Sequence, residues 1–197
     1  VDRLVGSEMC IRDRLTSRCP VSDVEVTHQF TLDPTHSVLC LSVSVRNLSD
    51  QATLFIDNCA ATLPLPDHLT ELEEVTGRWA YEFQNQRHAI TRSAYVRENW
   101  TGRSSHHMNP TLTLSEKTTS ATHGDVLGVH LGWSGNHQIR VESLADGRQM
   151  LQAGELLRPG ELELGPGGEY QSPGLYLCYS SHGQNGLTRQ WHQMIRR

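Results

Sequence analysis

From residue 15 onward the chain is written in short runs of alternating apolar and polar residues, and each run ends in a turn-forming cluster. Successive side chains of a β-strand point to opposite faces, so a period of two marks a half-buried strand. The stretch HSVLCLSVSVRN, residues 36–47, is the clearest case. Leu39, Leu41, Val43 and Val45 fall on one face, and Val38, Cys40, Ser42 and Ser44 on the other. The run before it, VEVTHQFTL, ends at Asp33 and Pro34, so the two are expected to form a hairpin. NLSDQ then turns the chain into a further run, ATLFIDNCAATLPL.

The second half has the same character. Strands are expected over 125–134 and 137–144, separated by a tight turn at Ser134–Asn136. ADGR (Ala145 to Arg148) reads as a type I′ hairpin turn, since Asp-Gly supplies the positive φ angles that turn requires. Further strands follow, broken by RPGE and GPGGE; no Lys-Ser or Lys-Thr follows GPGGE, so it reads as a turn and not a phosphate loop. The end of the chain differs. NGLTRQWHQMIRR places Leu187, Trp191, Met194 and Ile195 at helical spacing, with Asn185 as the cap, and predicts a helix over 184–197. The expected fold is all-β, an antiparallel β-sandwich closed by a short C-terminal helix.

Several function classes are excluded by bulk properties. The formal net charge is −5 and the 17 basic residues are scattered, which argues against binding to nucleic acid through phosphate contacts. No stretch approaches the roughly 20 apolar residues of a membrane-spanning helix. Charged residues interrupt the apolar ones at the start, so no cleavable signal is read there. Five cysteines (Cys10, Cys19, Cys40, Cys59 and Cys178) without close pairs point to free thiols and a reducing, cytoplasmic setting. The first fourteen residues, VDRLVGSEMCIRDR, show neither periodicity and resemble a translated sequencing adapter; they are set apart as a non-native tail.

Three consecutive stretches have a more specific character: GRWAYEFQNQRHAITRSAYVRENWTGRSSHHMNP (Gly77 to Pro110), GDVLGVHLGWSGNH (Gly124 to His137), and Gly154 to the end. The family pattern they match in order is G-x-W-x-x-E, R-x-G-x-S-S-H-x-x-N-P (with Trp100 here where the pattern has Arg), S-G-N, L-x-P-G-E and Y-S-x-x-G-x-N-G. Together they resemble the N-terminal β-sandwich domain of glycoside hydrolase family 36, whose members are mostly α-galactosidases. The resemblance implies that residues 15–183 are part of that domain and that 184–197 lead into a (β/α)8 catalytic barrel. In this family a retaining pair of Asp residues in the barrel performs hydrolysis. No acidic residue here matches either motif, so no catalytic residue is assigned, the chain alone is expected to be inactive, and it reads as a piece of a longer protein. No cofactor is implied. The partners implied are an α-galactoside of the melibiose or raffinose type, the protein's own barrel, and further copies in a dimer or tetramer; no nucleic acid or membrane partner is implied.

One substrate-binding residue is carried over by the resemblance. Trp79, in G-x-W-x-x-E with Gly77 and Glu82, matches a family tryptophan that contributes to the sugar pocket. An indole offers a rigid apolar face to the C–H face of a galactose ring; the alternative is an ordinary core or rim aromatic. Other features read as structural. His106 and His107 beside Asn109 lack further ligands at metal spacing, and Ser104 and Ser105 lack a nucleophile elbow. Trp100, Trp133 and Trp191 read as core or interface, Trp133 through its alternation with Val129 and Leu131. Glu71, Glu73 and Glu74 read as a solvated face, and the sequons at Asn47 and Asn99 matter only in a secreted protein. Two competing readings are a free-standing carbohydrate-binding or interaction sandwich, and a family member acting on α-N-acetylgalactosaminides.

Overall fold

The computed structural model describes residues 11–196. Among these, fifteen strands and one helix form three antiparallel sheets. The largest sheet has the order β1 (Ile11–Cys19), β2 (Val24–Asp33), β3 (Val38–Asn47), β15 (Leu175–Ser180), β10 (Val126–Leu131), β9 (Thr111–Ser115), β6 (Glu71–Arg78) and β7 (Tyr81–Ala89), with β14 (Glu169–Gln171) also on β3. A second sheet runs β5 (Ala60–Leu65), β12 (Gln149–Glu155), β11 (His137–Ser143) and β8 (Ala94–Asn99). β4 (Leu54–Ile56) and β13 (Leu162–Leu164) form a small ribbon.

The core lies between the two main sheets. Leu41 and Val43 from β3, Leu112 and Leu114 from β9 and Val129 and Leu131 from β10 meet Ile139 and Val141 from β11 and Leu151 and Ala153 from β12. This is the inner-face alternation of an antiparallel sandwich. The face assigned to Leu39, Leu41, Val43 and Val45 is the one that enters this core. Val38, on the opposite face, packs with Val126, Cys178 and Leu187 beneath the helix α1 (Gly183–Ile195).

Local expectations hold where the pattern is decided by neighbours in sequence. β2 and β3 pair as a hairpin from Asp33↔Val38 to Val24↔Asn47. GPGGE is a turn closed by the Gly168 N–H donating to the Gly165 carbonyl at 2.9 Å. β11 and β12 pair across ADGR, but the turn is not type I′: Gly147 has a positive φ (89°) and Asp146 does not. The Asp146 side chain instead accepts from the Arg148 amide and guanidinium, which fixes the loop without a left-handed Asp.

Other expectations are corrected. The run 52–65 is divided between β4 and β5, which belong to different sheets. β10 and β11 likewise do not pair; the Ser134–Asn136 turn moves the chain from the large sheet to the small one. Trp133 is exposed, because the alternation through Val129 and Leu131 ends with β10, and Trp100, just after β8, is outside the core as well. Trp191 does pack, together with Met194, against the cluster under α1, while Ile195 is exposed. Asn185 lies inside the first turn of α1, which begins at Gly183 without a side-chain cap. The amides of Gly183, Gln184 and Asn185 donate instead to the carbonyls of Gly124, Ser120 and Ala121, so the 120–124 loop caps the helix.

Residues 1–10, with Cys10, lie outside the described residues. Ile11–Arg14, set apart with a tail that lacks periodicity, form the first part of β1 and pair with Leu32 to Gln29. The missing periodicity has a physical cause: β1 is exposed along its whole length, so neither face is selected for apolar side chains.

Candidate functional site

The G-x-W-x-x-E motif forms the end of the β6–β7 hairpin. Arg78 pairs with Tyr81, leaving Trp79 and Ala80 as a two-residue loop. Ala80 takes a positive φ of 61°, and its N–H donates to Oε1 of Glu82 at 2.9 Å, so the motif glutamate fastens the loop. The register shifts between Thr76 and Arg78, a β-bulge that also sets Phe83 at φ 55°. Gly77, opposite this bulge, has φ 148°, and a Cβ there would collide with the Tyr81 carbonyl oxygen. Only glycine meets both conditions.

The result is an exposed aromatic tip: Trp79 is 80% exposed, Phe83 72% and Tyr81 58%. The Arg78 guanidinium carbon lies 5.9 Å from the Tyr81 ring centroid. The core or rim alternative for Trp79 thus divides cleanly: it is outside the core. Three large aromatics are thus exposed within five residues of the hairpin end.

The hairpin is fixed at its root by residues that sequence reasoning assigned otherwise. Glu74, expected on a solvated face with Glu71 and Glu73, is buried, and its Oε2 forms an ion pair with Nη1 of Arg97 on β8 at 3.1 Å. Its other oxygen contacts His88 Nε2 on β7 at 3.1 Å. Burial, and then the Glu74 carboxylate, hold the Tyr95 hydroxyl above its usual range. Arg97 Nη2 also donates to the carbonyls of Val75 at 3.0 Å and His107 at 3.2 Å, and Nη1 to that of Thr111 at 3.5 Å. Asn109 Nδ2 donates to the same Val75 carbonyl at 3.1 Å.

The remaining motifs interlock around this cluster. Ser105 Oγ accepts from the amides of His107 and Met108, so it closes a turn and is occupied as an acceptor. Asn99 Nδ2 donates to the Arg103 carbonyl, Ser104 N–H to the Ser134 carbonyl and Gly102 N–H to Asn136 Oδ1. The S-G-N turn is therefore tied to the 99–104 loop. His137, fully buried, has a pKa below the ordinary histidine range, mainly through burial. Among the described residues no group of three or more His, Cys, Asp or Glu could hold a metal ion.

The two sequons have a local explanation. Asn47 and Asn99 are buried, and each Oδ1 accepts from the backbone amide two residues on, at Ser49 and Thr101. The same Asx turn recurs at Asn109 and Thr111. Free thiols are found at Cys19, Cys40, Cys59 and Cys178. Burial pushes those of Cys59 and Cys178 up to about 11, so both are inert at neutral pH. Among the described residues no helix is long and apolar enough to cross a membrane.

Comparison with known proteins gives a consistent result. The profile of the glycosyl hydrolase family 36 N-terminal domain matches residues 13–165. An α-galactosidase of Escherichia coli is 37% identical over 183 residues, covering 93% of this chain and 26% of that protein. Alpha-galactosidase 1 of Pediococcus pentosaceus is 30% identical over 176 residues, covering 89% and 24%. The crystal structure of the GH36 α-galactosidase AgaA from Geobacillus stearothermophilus superposes with a TM-score of 0.89 at 23% identity, over 99% of this chain and 27% of that one. The chain thus spans about a quarter of the length of the curated relatives it matches.

Proposed function

The chain belongs to glycosyl hydrolase family 36 through its N-terminal domain, and from that premise we propose that the protein carrying it is a retaining α-galactosidase acting on terminal α-D-galactosides of the melibiose or raffinose type. In this reading an Asp nucleophile and an Asp acid/base outside these residues perform the chemistry, and the chain alone turns over no substrate. Its own contribution is Trp79. The observation that supports this is a tryptophan held 80% exposed at the end of a hairpin whose root is buried and bonded on two sides. A sugar stacked on that indole would remove its apolar face from water with little loss of side-chain entropy.

Tyr81 and Phe83 extend the exposed tip. They fit a surface that the protein's own barrel or a second copy covers in an oligomer. The free thiols fit a cytoplasmic setting. The exposed aromatic tip also favours one other reading, a carbohydrate-binding sandwich without catalysis.

Trp79→Ala in the whole protein separates these possibilities. On the proposed reading it raises KM for a chromogenic α-galactoside several-fold, or lowers turnover. Wild-type kinetics would remove Trp79 from the sugar site, and a whole protein without α-galactosidase activity would favour the binding module.

A further inference from the structure

We propose that Arg97, acting with Glu74 and Asn109, is a positioning residue that sets where the Trp79 hairpin points; the proposal rests on the reading of Trp79 as a sugar-facing side chain. The reason lies in where the sheet stops. β6 pairs with β9 only through Glu71↔Ser115, Leu72↔Leu114 and Glu73↔Thr113. From Glu74 outward its single ladder partner is β7, which is mostly exposed. A two-stranded ribbon alone is marginally stable in water. Left at that, Trp79 would ride on a free ribbon.

Arg97 takes over at the residue where the ladder with β9 ends. It reaches from the edge strand of the small sheet to Glu74 at 3.1 Å and to the next carbonyl, Val75, at 3.0 Å. Asn109 supplies the second donor to that carbonyl at 3.1 Å. The side chains of Arg97 and Glu74 are only 4% and 10% exposed, so the contact is shielded from solvent competition. Glu74 passes the restraint to β7 through His88. A planar fork that bonds a carboxylate and three carbonyls in fixed directions is a guanidinium property; an ammonium would keep the charge and lose the geometry.

The lever arm makes the direction matter. Four residues of strand separate Val75 from Trp79, about 13 Å. At that rise a tilt of about 10° at the root moves the indole by about 2 Å, enough to lose face-to-face stacking on a sugar ring.

The test uses the whole protein carrying this chain, with Arg97→Lys, Asn109→Ala, Trp79→Ala and the Arg97→Lys/Trp79→Ala double variant. Kinetics on a chromogenic α-galactoside are paired with amide hydrogen exchange over residues 75–84. Arg97→Lys is expected to raise KM by about threefold or more with kcat within about twofold, and the increase vanishes in the Trp79→Ala background. Exchange over 75–84 accelerates, while β11 and β12 keep wild-type protection. Unchanged exchange over 75–84, or a KM increase that persists undiminished without Trp79, overturns the proposal. Faster exchange together with wild-type kinetics for Trp79→Ala removes Trp79 from the sugar site and leaves the hold on the hairpin standing. If Arg97→Lys does not fold, Asn109→Ala, which deletes one of the two donors to Val75, is read by the same outcomes.

Discussion

The β1–β2 and β6–β7 hairpins stand at opposite edges of the same sheet, and both expose their outer strand, yet they are held by different means. β1 lies along β2 in unbroken register from Ile11↔Leu32 to Cys19↔Val24, and β2 lies along β3 in the same way. Its side-chain contacts are at the surface: Thr16 with Thr27, and Arg18 with Glu25 at 2.6 Å, where Arg18 is 69% exposed. The β6–β7 hairpin loses its inner neighbour at Glu73 and is secured by a buried ion pair and two bonds to one carbonyl. A continuous ladder makes an edge adequate as structure. Where the ladder stops, buried polar residues replace it.

This contrast can be broken by substitution. Glu74→Ala should have the largest effect, since it leaves the Arg97 guanidinium buried without its carboxylate. Such losses typically cost about 3–5 kcal/mol, read from denaturant unfolding of the variant against wild type. A cost below about 1 kcal/mol would put the pair in the class of surface bridges and erase the difference between the two edges. Gly77→Ala comes next, because its Cβ would strike the Tyr81 carbonyl at a positive φ; about 1–3 kcal/mol of strain is expected. That strain should appear as easier proteolysis within 77–84, since the bulge there must rearrange. Arg18→Ala should be nearly silent, within about 1 kcal/mol, in the same unfolding assay.

The sandwich was legible in the sequence because the alternation of β3, β10 and β11 is imposed by the core they share. Sheet membership was not, since a run such as 52–65 carries no mark of the point where it changes partners. Trp79 was singled out only because a motif matched; by position alone, an aromatic between two strands reads as core. The residues beneath it were missed for a definite reason. Glu74 sits among Glu71 and Glu73, which look like a hydrated face, and its partner Arg97 is on another sheet, 23 residues away in sequence. A long-range charge pair leaves no local signature. The one available hint was period two: Leu72 and Glu74 share a side of β6, and Leu72 is in the core.

The placement of β3 beside β15 has a consequence for how the chain is made. Leu41 is opposite Leu175, so the Leu39–Leu41 stretch on the inner edge of the β2–β3 hairpin has no permanent neighbour until some 134 further residues have been synthesised. At roughly 5–20 residues per second that interval is on the order of 7–27 seconds. Throughout it, the nascent protein presents an unpaired edge with Leu39 and Leu41 on its apolar side. Co-translational chaperones, or the pace of translation between β3 and β15, should therefore govern its yield more than the thermodynamic stability of the finished domain.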